Sequence, residues 1–516
     1  RTLEKNPLDR YQSMEEAVTE LQAAEKGKGP VQTAKPRISI AVLPFNNMSE
    51  DDTQEYFCDG MAEEIINALT AVKGLRVIAR TSSFAFKGKH LDIREIGRKL
   101  NVEMIVEGSV RKTEKRLRIT AQLINVSDGC HIWSEKFDRT LEDVLSVQDE
   151  IALLIVDKLK IELLEDEKNK LTAHGTDNLE AYHLYLLGSF YMFKHTKTDL
   201  EKAIEYYNKA AEKDNQFLMA YYGLVRCYGD LILYNYSTHG ITYYYSIFEK
   251  ISASAGKAVD NLIRIDPDSI TTHLTLASFH LNFTWNWETA KTELEKVNQI
   301  DPDNNLMHHL LSAYYFYTTD FKNAICEMKL ALKDDPFKAE YIFRLGLYYL
   351  RARRSDDARR QFLMLIELDP AEYFGYWMLA QTYVLDSNFE KGIELLNKAY
   401  RISNEDEFVL ADLGRAYALA GNTEDANDIL EKLKLRDNQE PLHPYTFASL
   451  YSALDQFDEA FKWMEKTFEE RDPAILHVLG AEGLDNLRKD PRFMKILKKY
   501  GFDKYYKGNK ELNSVL

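Results

Sequence analysis

Few residues in this chain are spaced for chemistry. His308-His309 is its one histidine pair. Adjacent helical residues point about 100° apart, so the two cannot chelate a metal as an i, i+4 pair does. His309 is expected to hydrogen-bond rather than to bind a metal. Cys58, Cys130, Cys227 and Cys326 lie far apart with no CxxC spacing, which reads as free thiols acting as small core residues in a reducing compartment. Asp59-Gly60 heads a helical pattern, where the aspartate reads as an N-cap rather than part of an anion site. No GxGxxG, GxxxxGK[ST], HRD, DFG, GxSxG or HExxH occurs. The expectation is a chain without catalytic residues, metal or cofactor, which neither binds nor hydrolyses ATP.

Composition narrows the partners. The 516 residues are 45% hydrophobic, enough for cores in about three domains. A net charge of −16 repels a phosphate backbone, so nucleic acid is not an expected partner. No run of 18 apolar residues occurs, so no membrane span is expected. The chain opens at Arg1 without a methionine, as a piece of a longer protein would.

What positions the side chains is a repeat. Asp301-Pro302, Asp335-Pro336 and Asp369-Pro370 lie 34 residues apart, and the same step reaches Asn404 and Asn438. Between these marks a first helix carries Ser312 and Tyr315, Gly346 and Tyr349, Ala380 and Tyr383, Gly414 and Tyr417, then Ala448 and Tyr451. The second helix carries Ala324, Ala358, Gly392, Ala426 and Ala460, each 12 residues after the small residue of the first. Antiparallel helices approach closely only where one presents a small side chain, and an aromatic fills the adjoining gap. Proline then ends the second helix. Ala277 with Ala290, Ala255 with Pro267, and Gly188 with Ala203 extend the register backwards to eight repeats over 178–473. This pattern resembles the tetratricopeptide (TPR) family, which implies an all-α superhelix with a protein-binding groove. Residues 231–250 break the register and are expected to form an extra or lengthened helix. Residues 474–516 are expected to be a polar-faced capping helix and tail.

Residues 37–165 follow another pattern. Strands are expected at Ile38–Phe45, Leu75–Arg80, Glu103–Arg111, Arg116–Val126 and His131–Phe137, with a turn at Thr113-Glu114-Lys115. Helices are expected at Glu55–Val72, Ile93–Leu100 and Leu141–Leu164. Together they make a small α/β sandwich. The phrases IAVLPFNNMSEDDTQEYFCDGMAEEIINAL, EGSVRK, RITAQLINV and HIWSEKFDRTLEDVLSVQDEIA resemble the TolB-like N-terminal domain. That resemblance implies an interaction or assembly module and brings no catalytic residues.

Residues 1–25 contain LEKNPLDRYQSMEEAVTELQAAE, which resembles the last helices of a bacterial serine/threonine kinase C-lobe through Leu3, Pro7, Arg10 and Tyr11. Residues 26–36 are a Gly-, Pro- and Lys-rich linker. Kinase chemistry needs cytosolic ATP, so the resemblance implies a cytoplasmic chain.

The TPR resemblance also implies a working surface, the inner positions of each first helix. Carried onto these repeats, they are His309, Phe316, Tyr317, Phe343, Arg351, Phe374, Trp377, Gln381, Arg415 and Tyr445. Aromatics with interspersed arginines suit an extended peptide or an acidic terminus. Replacing Trp377 or Arg415 is expected to spare the fold, because repeat packing rests on the small and aromatic signature positions.

The sequence therefore reads as a multidomain chain, a small TolB-like α/β sandwich followed by a TPR superhelix. Its expected role is a non-catalytic regulatory and protein-binding scaffold, the C-terminal region of a bacterial serine/threonine kinase. A class III adenylate cyclase tail, or a small-ligand sensor acting through the TolB-like domain, are the alternatives. A protein or peptide partner is expected in the groove, and a homo-oligomer is compatible with the sequence.

Overall fold

The computed structural model describes residues 37–506 apart from 50–53, 90, 114–115, 141–143, 172–174 and 239–240. The expected kinase-like helices of residues 1–25, the linker 26–36 and Glu114-Lys115 of the expected turn lie outside the described residues.

Short apolar runs in residues 37–140 pair into one mixed sheet. Its strands are β1 (Ile38–Val42), β2 (Asn46–Asn47), β3 (Leu75–Val77), β4 (Met104–Lys112), β5 (Arg116–Asn125) and β6 (His131–Thr140). Their order is β3-β1-β4-β5-β6, with β2 paired to β4. β1 runs parallel to β3 and β4, and β4-β5-β6 is an antiparallel meander. One sheet face buries Ile40, Val42, Val106 and Ile119 with residues of α1 (Glu55–Thr70) and α4 (Val144–Lys158). The other face buries Ala41, Leu43 and Ile105 with α3 (Ile93–Leu100). The α/β sandwich expected from the alternation is present.

Three local expectations are corrected. The strand expected to reach Arg80 stops at Val77, and Arg80–Phe84 forms a short helix, α2. The long helix expected over 141–164 ends at Lys158. Lys160 takes a left-handed φ of 55°, and α5 (Glu165–Leu171) follows. Asp59 is no N-cap: it is buried inside α1, and its two carboxylate oxygens accept from Lys87 Nζ at 2.7 and 2.8 Å.

Eight helix hairpins follow. They are α6 (Leu179–Met192) with α7 (Lys197–Lys213), α8 (Leu218–Thr238) with α9 (Ile241–Ile265), α10 (Ile270–Phe279) with α11 (Trp287–Ile300), and α12 (Asn305–Tyr317) with α13 (Phe321–Asp334). Then come α14 (Ala339–Arg351) with α15 (Ser355–Leu368), α16 (Tyr373–Leu385) with α17 (Phe389–Ile402), α18 (Glu407–Leu419) with α19 (Thr423–Asp437), and α20 (Pro444–Ala453) with α21 (Phe457–Glu469). The last six second helices begin at Trp287, Phe321, Ser355, Phe389, Thr423 and Phe457, one every 34 residues. The small positions are packed out: Ser312, Ala324, Ala358, Ala380 and Ala426 expose no surface. A Cβ added to Gly346 would stand 2.5 Å from the Phe362 ring. The register break after residue 231 is two lengthened helices, of 21 and 25 residues. Among the described residues no helix is long and apolar enough to cross a membrane.

The sandwich and the first repeats share one core, so the break expected near residues 165–178 is not a break in packing. Buried residues of α1, α4, α6, α7, α8 and α9 form a single cluster with the sheet. Gln148 and Tyr182 hydrogen-bond across the junction at 2.7 Å, and Gly60 leaves room for Leu186, whose Cδ2 would lie 2.9 Å from an added Cβ. The sandwich also touches the turn between repeats four and five. Ser82 Oγ donates to Asp335 Oδ1 at 2.6 Å, Ala79 N donates to Asp334 O at 2.8 Å, and Phe86 meets Phe337 edge to face at 5.8 Å.

The tail does more than cap the last repeat. α22 (Ile475–Val478) leads through 3₁₀ turns to α23 (Pro491–Tyr500), which buries Phe493, Ile496 and Leu497 rather than presenting only a polar face. α23 lies along α21 through Arg492–Asp458 and Lys499–Glu465, both at 2.6 Å. Beyond it, Phe502 and Tyr505 pack on Trp287 of repeat three with ring centroids 5.6 and 4.5 Å away. Thr319 Oγ1 donates to Tyr505 O at 3.2 Å, and Arg353 pairs with Asp485 at 2.6 Å. The last repeat is thus tied back to the third, fourth and fifth.

Candidate functional site

The first helices of repeats two to eight present residues to one inner surface, because positions three and four apart share a helical face. The polar caps fix where these helices start. Asn304 accepts from Met307 N, Glu372 from Tyr373 N and Phe374 N, and Asp406 from Val409 N. Together with residues of the tail and the sandwich, their inner faces line a cavity of about 1280 Å³.

All ten residues expected at the groove line this one cavity. They are not equally available. Phe316 stacks on Tyr348 at 4.9 Å, Tyr317 stacks on Trp287 at 5.4 Å, and both are buried core. Arg351, Gln381 and Arg415 are also buried, whereas Phe343, Phe374, Trp377 and Tyr445 are half-buried at the wall. His309 faces the cavity as expected and is 8% exposed. Its ring stacks on Tyr341 at 4.6 Å, and Nε2 lies 3.5 Å from Glu340. Burial pushes its pKa down to about 3, so the imidazole is neutral near neutral pH. Its neighbour His308 points elsewhere and pairs with Glu327 at 2.6 Å. Among the described residues no cluster of His, Cys, Asp or Glu is placed to hold a metal ion.

The arginines expected to meet an acidic ligand are engaged within the protein. Arg415 Nε donates to Asp412 Oδ1 at 3.0 Å, and its Nη2 donates to Gln381 Oε1. Asp412 Oδ2 accepts from Trp377 Nε1 and from Gln381 Nε2, both at 2.8 Å. One carboxylate thereby joins repeats six and seven through three side chains.

Sequence reasoning missed part of the wall. Phe408 lies one 34-residue step after Phe374, so the same register could have found it. Tyr373, Glu372 and Asp406 sit at helix starts, where no apolar period marks them. The opposite wall comes from distant segments. Arg80 of the sandwich pairs with Glu63 at 3.2 Å and lies 3.7 Å over the Phe193 ring of repeat one. Arg226 of repeat two stands over Tyr222 at 5.6 Å. No spacing rule places these together. The thiols split as well: Cys58 and Cys227 are buried, while Cys130 and Cys326 are exposed and so are not the core residues expected. Burial pushes the Cys58 thiol up to about 12.

Comparison with known proteins adds the following. Residues 36–154 match a family model described as the second domain of HilA/YgeH-like transcriptional regulators, a range coinciding with the sandwich, where the sequence phrases pointed to a TolB-like domain. A curated relative, "Putative adenylate cyclase 3" of Rhizobium meliloti (strain 1021), is 50% identical over 155 residues. That match covers 30% of this chain and 26% of the relative, so the chain spans about a quarter of the relative's length. Solved structures with a similar arrangement include a tetratricopeptide repeat protein from Parabacteroides merdae, 12% identical with a TM-score of 0.37, covering 48% of this chain and 96% of that one. PilF of Pseudomonas aeruginosa is 14% identical with a TM-score of 0.33, covering 46% and 96%. YrrB, described as a TPR protein with an unusual peptide-binding site, is 20% identical with a TM-score of 0.28, covering 40% and 95%. The fold assignment rests on the hairpin geometry above, not on these likenesses.

Proposed function

We propose that this chain is a non-catalytic regulatory scaffold of a bacterial signalling protein, which holds an extended segment of a partner protein against the inner wall of its repeats. The observation that carries this is the convergence of first-helix residues from repeats four to eight, aromatic and half-buried in part, on one cavity of about 1280 Å³. Half-buried aromatics on rigid helices anchor a bound segment at low entropic cost. The scaffold works on the cytoplasmic side, joined to an enzyme that it regulates.

Two enzymes fit that place. The kinase reading rests on Leu3, Pro7, Arg10 and Tyr11 of the first 25 residues. The cyclase reading is favoured by the 50% identity to a protein named as a putative adenylate cyclase. The domain encoded immediately upstream of Arg1 in the source gene separates them.

A photo-reactive phenylalanine analogue at Phe343, inside the cavity, tests the scaffold itself in the native host. A second copy of the analogue replaces Arg360, which is exposed on the second helix of repeat five and off the cavity wall. A partner adduct from position 343 and none from 360 supports the proposal. Adducts from 360 alone contradict it.

A further inference from the structure

The wall of repeats five to seven has a charge character opposite to the one its arginines suggest in sequence. Tyr373 stacks on Phe374 at 4.3 Å and lies nearly parallel to Trp377 at 6.2 Å. Trp377 faces Phe408 at 6.5 Å, and Phe343 meets Phe374 edge-on at 5.8 Å. These five half-buried rings make a continuous apolar strip across three repeats. Among the described cations lining the cavity here, Arg415 is paired with Asp412, and Lys338 and Arg344 are paired with Glu340. The carboxylates beside the strip are not neutralised. Asp369, Glu372 and Asp406 line the same cavity, and among the described residues none of them has an ion-pair partner within 4 Å. Each instead accepts a backbone N–H at a turn or helix start, from Ala371, Tyr373 and Val409 respectively.

Resting on the peptide-binding reading above, we infer that this wall takes a basic peptide, an extended partner segment with lysine or arginine next to apolar residues. The long aliphatic stem of a lysine or arginine lies along the rings while its charged head reaches a carboxylate. An acidic segment on this wall would meet Asp369, Glu372 and Asp406 and the already paired Arg344 and Arg415, and like-charge contacts disfavour it.

The substitutions that test this preserve the local fold. Asparagine and glutamine retain the oxygen that accepts the turn and cap hydrogen bonds, so Asp369→Asn, Glu372→Gln and Asp406→Asn remove charge without removing caps. The probes are labelled twelve-residue peptides of repeating Ala-Lys-Leu and of repeating Ala-Glu-Leu. Each is titrated by fluorescence anisotropy into the full 516-residue chain at about 50 and about 300 mM salt. The lysine peptide is expected to bind, more weakly at high salt, and to lose about tenfold in affinity to the triple variant. The glutamate peptide is expected not to bind. Equal binding of the lysine peptide to wild type and triple variant overturns the inference, because the attraction is then to the acidic chain at large. Tighter binding of the glutamate peptide, lost in Phe374→Ala/Phe408→Ala, overturns the charge assignment and leaves the peptide-binding wall standing. Indifference of both peptides to Phe374→Ala/Phe408→Ala removes the wall itself. Binding of the lysine peptide only after Lys26, Lys28 and Lys35 are replaced by glutamine would overturn the partner as occupant, in favour of the chain's own basic arm.

Discussion

Ser82 and Asp335 stand 253 residues apart, are almost wholly buried, and share two hydrogen bonds. Ser82 N donates to Asp335 Oδ1 at 3.1 Å and Ser82 Oγ donates to the same oxygen at 2.6 Å. Ser82 Oγ in turn accepts from Phe337 N at 2.8 Å. Asp335 is the aspartate of a repeat-marking Asp-Pro turn, so one mark of the repeat doubles as the anchor of the sandwich. Asp369, in the equivalent turn one repeat later, is exposed, and among the described residues its side chain accepts only from Ala371 N.

Asp335→Ala leaves the buried Ser82 donors unsatisfied and is expected to cost about 1–3 kcal/mol. Asp369→Ala is expected to cost less than about 1 kcal/mol. Thermal unfolding of both variants, read by circular dichroism, checks the pair. Equal loss from the two would mean that the sandwich does not bear on that turn.

Gly346→Ala is expected to destabilise by about 1–3 kcal/mol, since its Cβ would press on the Phe362 ring where two helices meet. Gly421 has a φ of 85° and open space around it, so Gly421→Ala costs only the left-handed strain, about 1 kcal/mol. Urea midpoints of the two variants separate overpacking from backbone strain.

These turns show what the sequence could reveal and what it could not. The small and aromatic periods gave the hairpins, because close helix contact demands small residues whatever else varies. The turn inside each hairpin is different. Thr319, Arg353, Ser387 and Asp455 take a left-handed φ near 60° at the place held by Gly421 in repeat seven. Packing of the flanking helices imposes that conformation on ordinary residues, so no residue type announces it. Asp59 looked like a cap because it is an acidic residue read as heading a helical pattern. Its true role depends on Lys87, 28 residues away. The ten groove positions reached the cavity wall because first-helix geometry is local. Their pairing was not legible: Arg415 looked free until Asp412 and Gln381 were placed beside it.

The network around Asp412 makes Trp377 and Arg415 structural as well as exposed to the cavity. Arg415→Ala is expected to lose about 2 kcal/mol or more of stability, because a mostly buried charge pair is broken from one side. Trp377→Phe keeps the ring and loses one donor to Asp412, at a cost of about 1 kcal/mol. Thermal unfolding checks both, and an unchanged Arg415→Ala would restore the expectation that groove side chains are dispensable for the fold.

Two buried histidines carry opposite pH dependences. For His309, burial lowers the pKa to about 3, below the ordinary 6.5, with Arg344 and Lys338 acting in the same sense. Its contribution is complete above pH 6.5 and is lost as pH falls from 6.5 towards 3, because the unfolded chain then binds the proton. For His443, burial acts downward, but the hydrogen bond to Asp472 at 3.2 Å and the charges of Asp472, Glu407 and Asp406 outweigh it and raise the pKa. Its contribution is complete below pH 6.5 and is lost as pH rises through the raised value. In a plot of melting temperature against pH, His309→Phe should be flatter than wild type between about pH 6.5 and 4. His443→Gln should be flatter above pH 6.5.

The central claim is that the inner wall of repeats five to seven holds a partner segment. Once a photo-adduct identifies that segment, titration calorimetry of the synthetic segment against wild type and against Phe374→Ala/Phe408→Ala tests the claim most directly. Both rings are half-buried at the wall, and circular dichroism of the variant establishes that it is folded before its affinity is read. The account predicts a loss of about 2 kcal/mol or more in binding, some thirtyfold in Kd. An unchanged Kd with a folded variant would contradict it and move the partner to the outer face or to the sandwich.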